Sequence, residues 1–305
     1  MHAKISNKPY QILNRDIIKY IAMFTMLLNH IATIFLSSGT WLCESFLAIG
    51  YFTAITMTYF LVEGYHYTHS KKIYILRLFV FALISEIPYC FAFTINGIIE
   101  FYGFNMLFTL CICFGILYIL DTIKNRFAKV CLIILAVIIS LFCDWALLAP
   151  IFTLLFVWAN NSKHRTKIAF CLSIVIFGTF NFLGGLGRFP FSTNILYALL
   201  SIVGMGMAAV CIVFFYNGKR IEKGKVFSKW FFYLFYPVHL LILGGLFLSD
   251  NLKQNRFAVC LCAVRRCCVV RIAYESFLDC NLQEFFMFLE WRTANCLFLL
   301  DFNTI

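Results

Sequence analysis

The sequence has few charged residues for its length. Asp, Glu, Lys and Arg together make up 13% of the 305 residues, whereas about a quarter is usual in soluble globular proteins. Hydrophobic residues account for 62% of the chain. This composition excludes an ordinary water-soluble domain and predicts a protein that lies mainly within a membrane.

Acidic residues are scarcer than basic ones, 14 against 25, which gives a formal net charge of +11. In a soluble protein this excess would suggest nucleic acid as the partner. Here the cations lie in short segments beside apolar stretches, so we expect contact with anionic lipid headgroups and no nucleic acid. The polar N-terminus carries no visible cleavable signal peptide, and the first apolar stretch has about 20 residues, enough to cross a bilayer.

The sequence also lacks an internal repeat and a linker long enough to separate soluble domains. We therefore expect one membrane domain, residues 1–249, followed by an atypical tail, residues 250–305. Eight of the 14 cysteines lie in or beside apolar stretches, where cysteine is a small hydrophobic residue. The other six lie in the tail and match no zinc spacing, so no metal site is predicted. The tail could be an oxidised extracellular knot, a non-native or frameshifted extension, or a weakly ordered end.

Nine apolar stretches run through the first 249 residues, and each is predicted to be a helix, since lipid cannot satisfy an open backbone. They cover residues 17–36, 45–63, 73–93, 104–121, 127–144, 146–159, 168–186, 195–216 and 230–248. The segments between them alternate between rich and poor in Lys and Arg, and the segment before the first is rich. Because cytoplasmic segments retain these cations, we predict an all-α, polytopic membrane helix bundle with about nine transmembrane helices and a cytoplasmic N-terminus. Gly204 and Gly206 are predicted to form a close-packing face.

Two histidines lie deep within apolar stretches, where ionisable residues are costly and often functional. His30 lies about 20 Å of helix rise from the start of the first stretch and follows Asn29. A neutral histidine there can act as a general base, or it can simply pack against a neighbouring helix. His239 lies two residues after Pro237, which bends the helix and frees a backbone carbonyl.

Four further ionisable residues lie in or just after the second and third stretches. Glu63 and His66 indicate a polar mouth at the inner surface, although an interfacial belt of Tyr and His would look the same. Arg77 can bind a phosphate from the cytoplasm, or it can snorkel to the interface. Glu86 lies deeper and requires a partner, whether His30, a proton or a substrate.

Four ordered blocks containing these residues resemble the TraX family of membrane proteins, named for acetylation of the pilin N-terminus in conjugation systems. The blocks are residues 17–30, 60–64, 77–88 and 232–241, and the resemblance covers most of residues 16–247. The family resembles multi-span acyltransferases that take an acyl group from cytoplasmic acyl-CoA and pass it to an extracytoplasmic acceptor. The resemblance implies a multi-pass protein of the bacterial cytoplasmic membrane that uses acetyl-CoA as acyl donor and a pilin, peptide or envelope glycan as acceptor.

The resemblance implies site roles for these positions, and His66 joins them as a neighbour of Glu63. The expected catalytic residues are His30, His239 and Glu86, and the expected donor-binding residues are Arg77, Glu63 and His66. The sequence departs from the family where Asn29 replaces the usual aspartate, which leaves only a neutral hydrogen-bonding group beside His30. A proton-coupled transporter and a catalytically silent assembly subunit therefore stay open as alternative functions.

Overall fold

The computed structural model describes residues 10–93, 101–160 and 162–262, and the regular elements in this part of the chain are all helical. The predicted all-α class is confirmed. The α-helices are α1 (Arg15–Phe35), α2 (Trp41–Gly50), α3 (Phe52–Tyr67), α4 (Lys71–Ala92), α5 (Met106–Thr122), α6 (Arg126–Ile139), α7 (Leu148–Ala159), α8 (Lys163–Gly184), α9 (Phe191–Val210) and α10 (Lys225–Cys262). A 3₁₀ turn follows α6 and a π turn follows α9.

Six helical segments in the described part are long and apolar enough to cross a membrane. They are Arg15–Phe35, Trp41–Tyr67, Lys71–Ala92, Lys163–Gly184, Phe191–Phe215 and Lys225–Ser249. Helices α2 and α3 together form the second of these segments and meet at Tyr51. Helices α5, α6 and α7 have 17, 14 and 12 residues, short of the roughly 20 that span a bilayer upright. The predicted count of nine spans is therefore not established by helix length.

Helix α3 lies at the centre of the bundle, in contact with α1, α5, α7 and α9. The segment that contains it is buried more fully than the other five spans. Helix α1 also packs against α2 and α10, and α10 packs against α4. This arrangement places the end of α3 and the starts of α1, α4 and α10 together at one end of the bundle, here called the inner end.

Helix α9 packs tightly on the α2–α3 segment at one of the two glycines predicted for such a face. A side-chain carbon at Gly204 would collide with the carbonyl oxygen of Ala48 and approach that of Ile49 to 2.9 Å. At Gly206 such a carbon would meet open space. The prediction is right for Gly204 and wrong for Gly206, because residues two apart on a helix point in different directions.

Two segments pair through backbone hydrogen bonds at the inner end. The Leu13 N–H donates to the Phe215 carbonyl, and the Asn217 N–H returns a bond to Leu13. The side chain of Asn14 caps the first turn of α1 by accepting from the Ile17 N–H at 2.9 Å. The chain that leaves α9 is thereby fixed beside the start of α1.

Helix α10 contains Pro237 and continues past the predicted domain boundary to Cys262. Residues 263–305, which make up most of the predicted tail, lie outside the described part of the chain. The tail cysteines from Cys267 onward are among them.

Candidate functional site

A cavity of about 640 Å³ opens among the helices at the inner end. We call it the inner cavity. Its described lining includes five cationic side chains, Arg15, Lys19, Arg77, Arg220 and Lys229. Glu63 is the one carboxylate among these lining residues. The inner cavity therefore carries an excess of positive charge, which suits an anionic ligand.

Glu63 holds the inner ends of α1, α3 and α9 together. Its carboxylate accepts hydrogen bonds from the Tyr216 hydroxyl at 2.9 and 3.0 Å, and it lies 3.6 Å from Nε of Arg15. Arg15 also donates from Nη2 to the Phe60 carbonyl at 2.8 Å. Burial and the charge of Glu63 raise the pKa of Tyr216, so this phenol stays protonated and donates. Glu63 neutralises Arg15, so the positive charge of the inner cavity comes from other basic side chains, Arg77, Arg220 and Lys229 among them.

A second, smaller pocket of about 70 Å³ lies farther along α1, and we call it the outer pocket. Aromatic side chains form much of its wall: Trp145 stacks on Phe177 with ring centroids 5.3 Å apart, and Tyr51 packs edge-on against Phe177 at 4.8 Å. Asn29 and His30 contribute polar groups from α1. Aromatic and polar side chains thus line the outer pocket together, a combination that is also found in small-molecule sites.

The loop before α7 reaches the outer pocket in a strained backbone conformation. Trp145 and Leu147 have backbone φ angles of 57° and 61°, values that residues other than glycine rarely adopt. Trp145 lines the outer pocket, and Asp144 beside it does so as well. Strained backbone is concentrated at binding and catalytic sites, which marks this loop as part of the candidate site.

His30 and His239 meet at the outer pocket although they are 209 residues apart. Nδ1 of His30 lies 2.7 Å from Nε2 of His239, and the two ring planes are within 4° of each other. Both side chains are buried, and His239 also stacks on Phe235 at 4.8 Å. The two predicted catalytic histidines therefore form one hydrogen-bonded pair.

The hydrogen bonds of this pair assign its tautomers when both rings are neutral. Nδ1 of His239 lies 2.7 Å from the Phe235 carbonyl oxygen, which can only accept, so this nitrogen donates. Nε2 of His239 must then accept, and Nδ1 of His30 donates to it. The remaining lone pair of His30 is on Nε2. Since His30 lines the outer pocket, this nitrogen is available as a general base.

The two cavities adjoin. Four residues line both of them: Met26, Thr53, Met106 and Tyr236. We call these four the partition. Tyr236 lies beside the histidine pair, with ring centroids 6.4 Å from His30 and 5.7 Å from His239. The partition therefore lies between the cationic inner cavity and the pocket that contains the candidate base.

Two of the predicted site residues lie elsewhere. Glu86 is not among the described residues that line either cavity; its Oε2 accepts from the backbone and the side chain of Asn105 at 3.1 and 2.8 Å. Asn105 caps α5, so Glu86 supports the start of that helix. His66 is exposed and lies 3.0 Å from the Asn160 amide. The catalytic role of Glu86 and donor binding by His66 stay predictions, and both side chains make contacts between structural segments.

Sequence inspection missed several residues of the site. The sequence offers basic loop residues in general, besides Arg77, for the phosphates of the donor. It does not single out Arg15, Lys19, Arg220 or Lys229, because cations at span ends set the topology of most membrane proteins. Tyr236 stands three residues before His239, and this helical spacing could have indicated that it shares the same region. No local pattern marks the Trp145 loop.

These features define a polytopic helical membrane protein with a cationic cavity at one end and a histidine pair beyond a thin partition. The TraX protein family matches residues 14–247, and the chain belongs to that family. It is also 29% identical over 239 residues to the probable fimbrial assembly protein FimC, serogroup H1, of Dichelobacter nodosus. That similarity covers 74% of this chain and 92% of the relative. No solved structure matches the chain.

Proposed function

We propose that the protein is an integral membrane acyltransferase. It takes an acetyl group from acetyl-CoA in the inner cavity and passes it to an extracytoplasmic protein N-terminus or envelope glycan in the outer pocket. The observation that carries this proposal is the partition: residues such as Met26 and Tyr236 line both cavities, directly beside the His30–His239 pair. A donor and an acceptor that enter from opposite sides would meet there.

The inner cavity suits acetyl-CoA in size and charge. Its volume of about 640 Å³ falls within the roughly 300–1,000 Å³ of typical ligand pockets. Arg77, Arg220 and Lys229 would hold the phosphates, because guanidinium and ammonium groups form strong charge-assisted hydrogen bonds with them. The apolar wall deeper in the cavity, which includes Leu110 and Phe232, would accommodate the thioester arm.

The histidine pair supplies the acid–base chemistry. Nε2 of His30 removes the proton from the acceptor amine or hydroxyl as its heteroatom bonds to the acetyl carbonyl carbon. The carbon–sulfur bond then breaks, CoA leaves as a thiolate, and the proton passes from His30 to the sulfur. His239 accepts the Nδ1–H hydrogen bond of His30, holds its tautomer and stabilises the imidazolium that forms.

The orientation proposed with this function has the N-terminus in the cytoplasm and nine helices in the bilayer of the bacterial cytoplasmic membrane. Basic residues lie at the inner end, Arg15 and Lys19 in the first turns of α1, Lys71 and Lys72 at the start of α4, and Lys219, Arg220 and Lys223 before α10. This supports a cytoplasmic inner end, because cytoplasmic segments retain such cations. The short helices α5, α6 and α7 would cross where the bilayer thins or where neighbouring helices cover their ends.

The test is release of free CoA by the purified protein in proteoliposomes supplied with acetyl-CoA. Two acceptor probes are used, a short synthetic peptide with a free N-terminus and an oligosaccharide with free hydroxyls. We expect release with at least one probe, and a loss of about 10²- to 10⁴-fold in His30→Ala, the range for removal of a general base. Normal turnover in both His30→Ala and His239→Ala would refute the proposed chemistry.

A second candidate function is that of a non-catalytic subunit in fimbrial or conjugative assembly. The similarity to a probable fimbrial assembly protein favours it, as does Asn29 at the position where the family usually has aspartate. The two candidates differ in one observable. If the protein is an assembly subunit, the His30→Ala variant should support fimbriation as well as wild type does. If it is an acyltransferase, the same variant should no longer form the acetylated acceptor.

A further inference from the structure

The hydroxyl of Tyr236 lies in the partition with no hydrogen bond to any described residue. The side chain is only 4% exposed. A buried hydroxyl without a partner is unfavourable and uncommon in folded proteins. Phenylalanine would give the same packing without this penalty, so the hydroxyl calls for a functional explanation.

The other partition residues offer no competing donor. Met26 and Met106 have no side-chain hydrogen to donate, and the Thr53 hydroxyl already donates to the Ala22 carbonyl at 2.7 Å. The backbone N–H of Met106 lies near the Tyr236 oxygen without completing a hydrogen bond. Met106 is the first residue of α5, where an N–H has no acceptor within the helix and the helix dipole favours negative charge.

We propose that the Tyr236 hydroxyl and the Met106 N–H form the oxyanion site of the acyl transfer. This inference rests on the proposed acyltransferase function and adds a catalytic residue to it. The acetyl carbonyl oxygen would lie between the two donors, on the line from the inner cavity to His30. The Tyr236 ring packs edge-on beside the His30 ring, with ring centroids 6.4 Å apart, so the hydroxyl and the candidate base belong to the same region of the bundle.

The site acts as charge develops on the carbonyl oxygen. When the acceptor heteroatom adds to the carbonyl carbon, the π electron pair moves onto that oxygen. The two donors bind the resulting oxyanion, and the pair returns as the carbon–sulfur bond breaks and CoA leaves as thiolate. The proton of the acceptor goes to His30 and then to sulfur, so that acetyl-CoA and acceptor give acetylated acceptor and CoA.

The experiment compares Tyr236→Phe with wild type in proteoliposomes, with acetyl-CoA as donor and both acceptor probes named above. Removal of one oxyanion donor lowers kcat by about 10²- to 10³-fold, and we expect the KM for acetyl-CoA to change by less than about threefold because the ground-state contacts remain. Thermal stability in detergent should be unchanged or higher, since a buried unpaired hydroxyl is removed. Tyr59→Phe is the matched control; Tyr59 packs against Phe156 and Phe170 and lines neither cavity among the described residues.

The outcomes separate this inference from the function on which it rests. Wild-type turnover with an unchanged kcat in Tyr236→Phe refutes the oxyanion role and leaves the acyltransferase intact. A fall in kcat together with an equal fall in Tyr59→Phe also refutes it, because the loss is then a general packing effect. Absence of turnover in wild type with both probes refutes the acyltransferase and the oxyanion site together.

Discussion

The histidine pair predicts that His30 and His239 act as one unit, and a double-mutant cycle tests this. Loss of a general base in His30→Ala lowers the rate by about 10²- to 10⁴-fold, which corresponds to about 2.7–5.4 kcal/mol of transition-state stabilisation. His239 acts through the 2.7 Å bond to Nδ1 of His30. Its replacement should therefore cost no more than the loss of His30 itself, and the double variant should match His30→Ala.

The assay is acetyl-CoA turnover by wild type, His30→Ala, His239→Phe and the double variant, each purified and checked by thermal unfolding. His239→Phe leaves the Nδ1–H of His30 buried without an acceptor, at a cost of about 1–3 kcal/mol in stability. His239→Gln is the matched control, because its amide oxygen can accept the same hydrogen bond and should restore part of the rate. If the turnover rate of the double variant falls by the product of the two single-variant factors, the histidines act independently, and the prediction that they act as one unit is wrong.

Three further predictions follow from packing and charge. Gly204→Ala should lower the unfolding free energy in detergent by about 1–3 kcal/mol, because the new methyl group meets backbone of the α2–α3 segment; Gly206→Ala, with open space beside it, is the control and should leave the melting temperature unchanged. Arg77→Gln or Arg220→Gln should raise the KM for acetyl-CoA by about tenfold, equivalent to about 1.4 kcal/mol, with kcat retained. An unchanged KM in both variants would show that the phosphates do not bind to these two residues in the inner cavity. Glu63→Gln should destabilise the inner end by about 1–3 kcal/mol, since Arg15 loses its carboxylate, and thermal unfolding at low and high salt measures this.

The helices and the histidines could be predicted from the sequence for a physical reason. Lipid allows the backbone few solutions, so each apolar stretch becomes a helix, as the structure has it. An ionisable group at membrane depth is costly unless it has a function or a partner. His30 and His239 therefore stood out individually. Their contact could not be predicted, because it depends on how α10 packs against α1 across 209 residues.

The roles of the carboxylates were harder to predict than their positions. The depth of Glu86 predicts a catalytic role. In the structure its carboxylate accepts a hydrogen bond from Asn105, which lies 19 residues farther along the chain and caps α5. Glu63 was expected to bind the donor, and it lies in the inner cavity wall, where it is held by Arg15 and Tyr216. Charge and depth along a sequence identify polar residues, whereas their partners depend on tertiary packing.

The basic residues of the inner cavity also show that sequence alone does not identify which residues meet in the folded protein. Arg15 and Lys229 follow the positive-inside pattern and carry no further sequence signal. Only the bundle reveals that they converge on one cavity. Tyr236 is comparable: the sequence assigns it no role of its own, and the missing partner of its hydroxyl is seen only in the packed bundle.

Transfer across the membrane tests the central claim most directly. The protein is reconstituted in sealed vesicles with acetyl-CoA outside and an acceptor probe, the free N-terminal peptide or the oligosaccharide, trapped inside. In the molecules whose inner end faces outward, we expect free CoA outside and acetylated probe inside, with both products absent in His30→Ala. Acetylation that occurs only when acetyl-CoA and the probe share one side of the membrane would contradict a donor cavity and an acceptor pocket that meet at the partition.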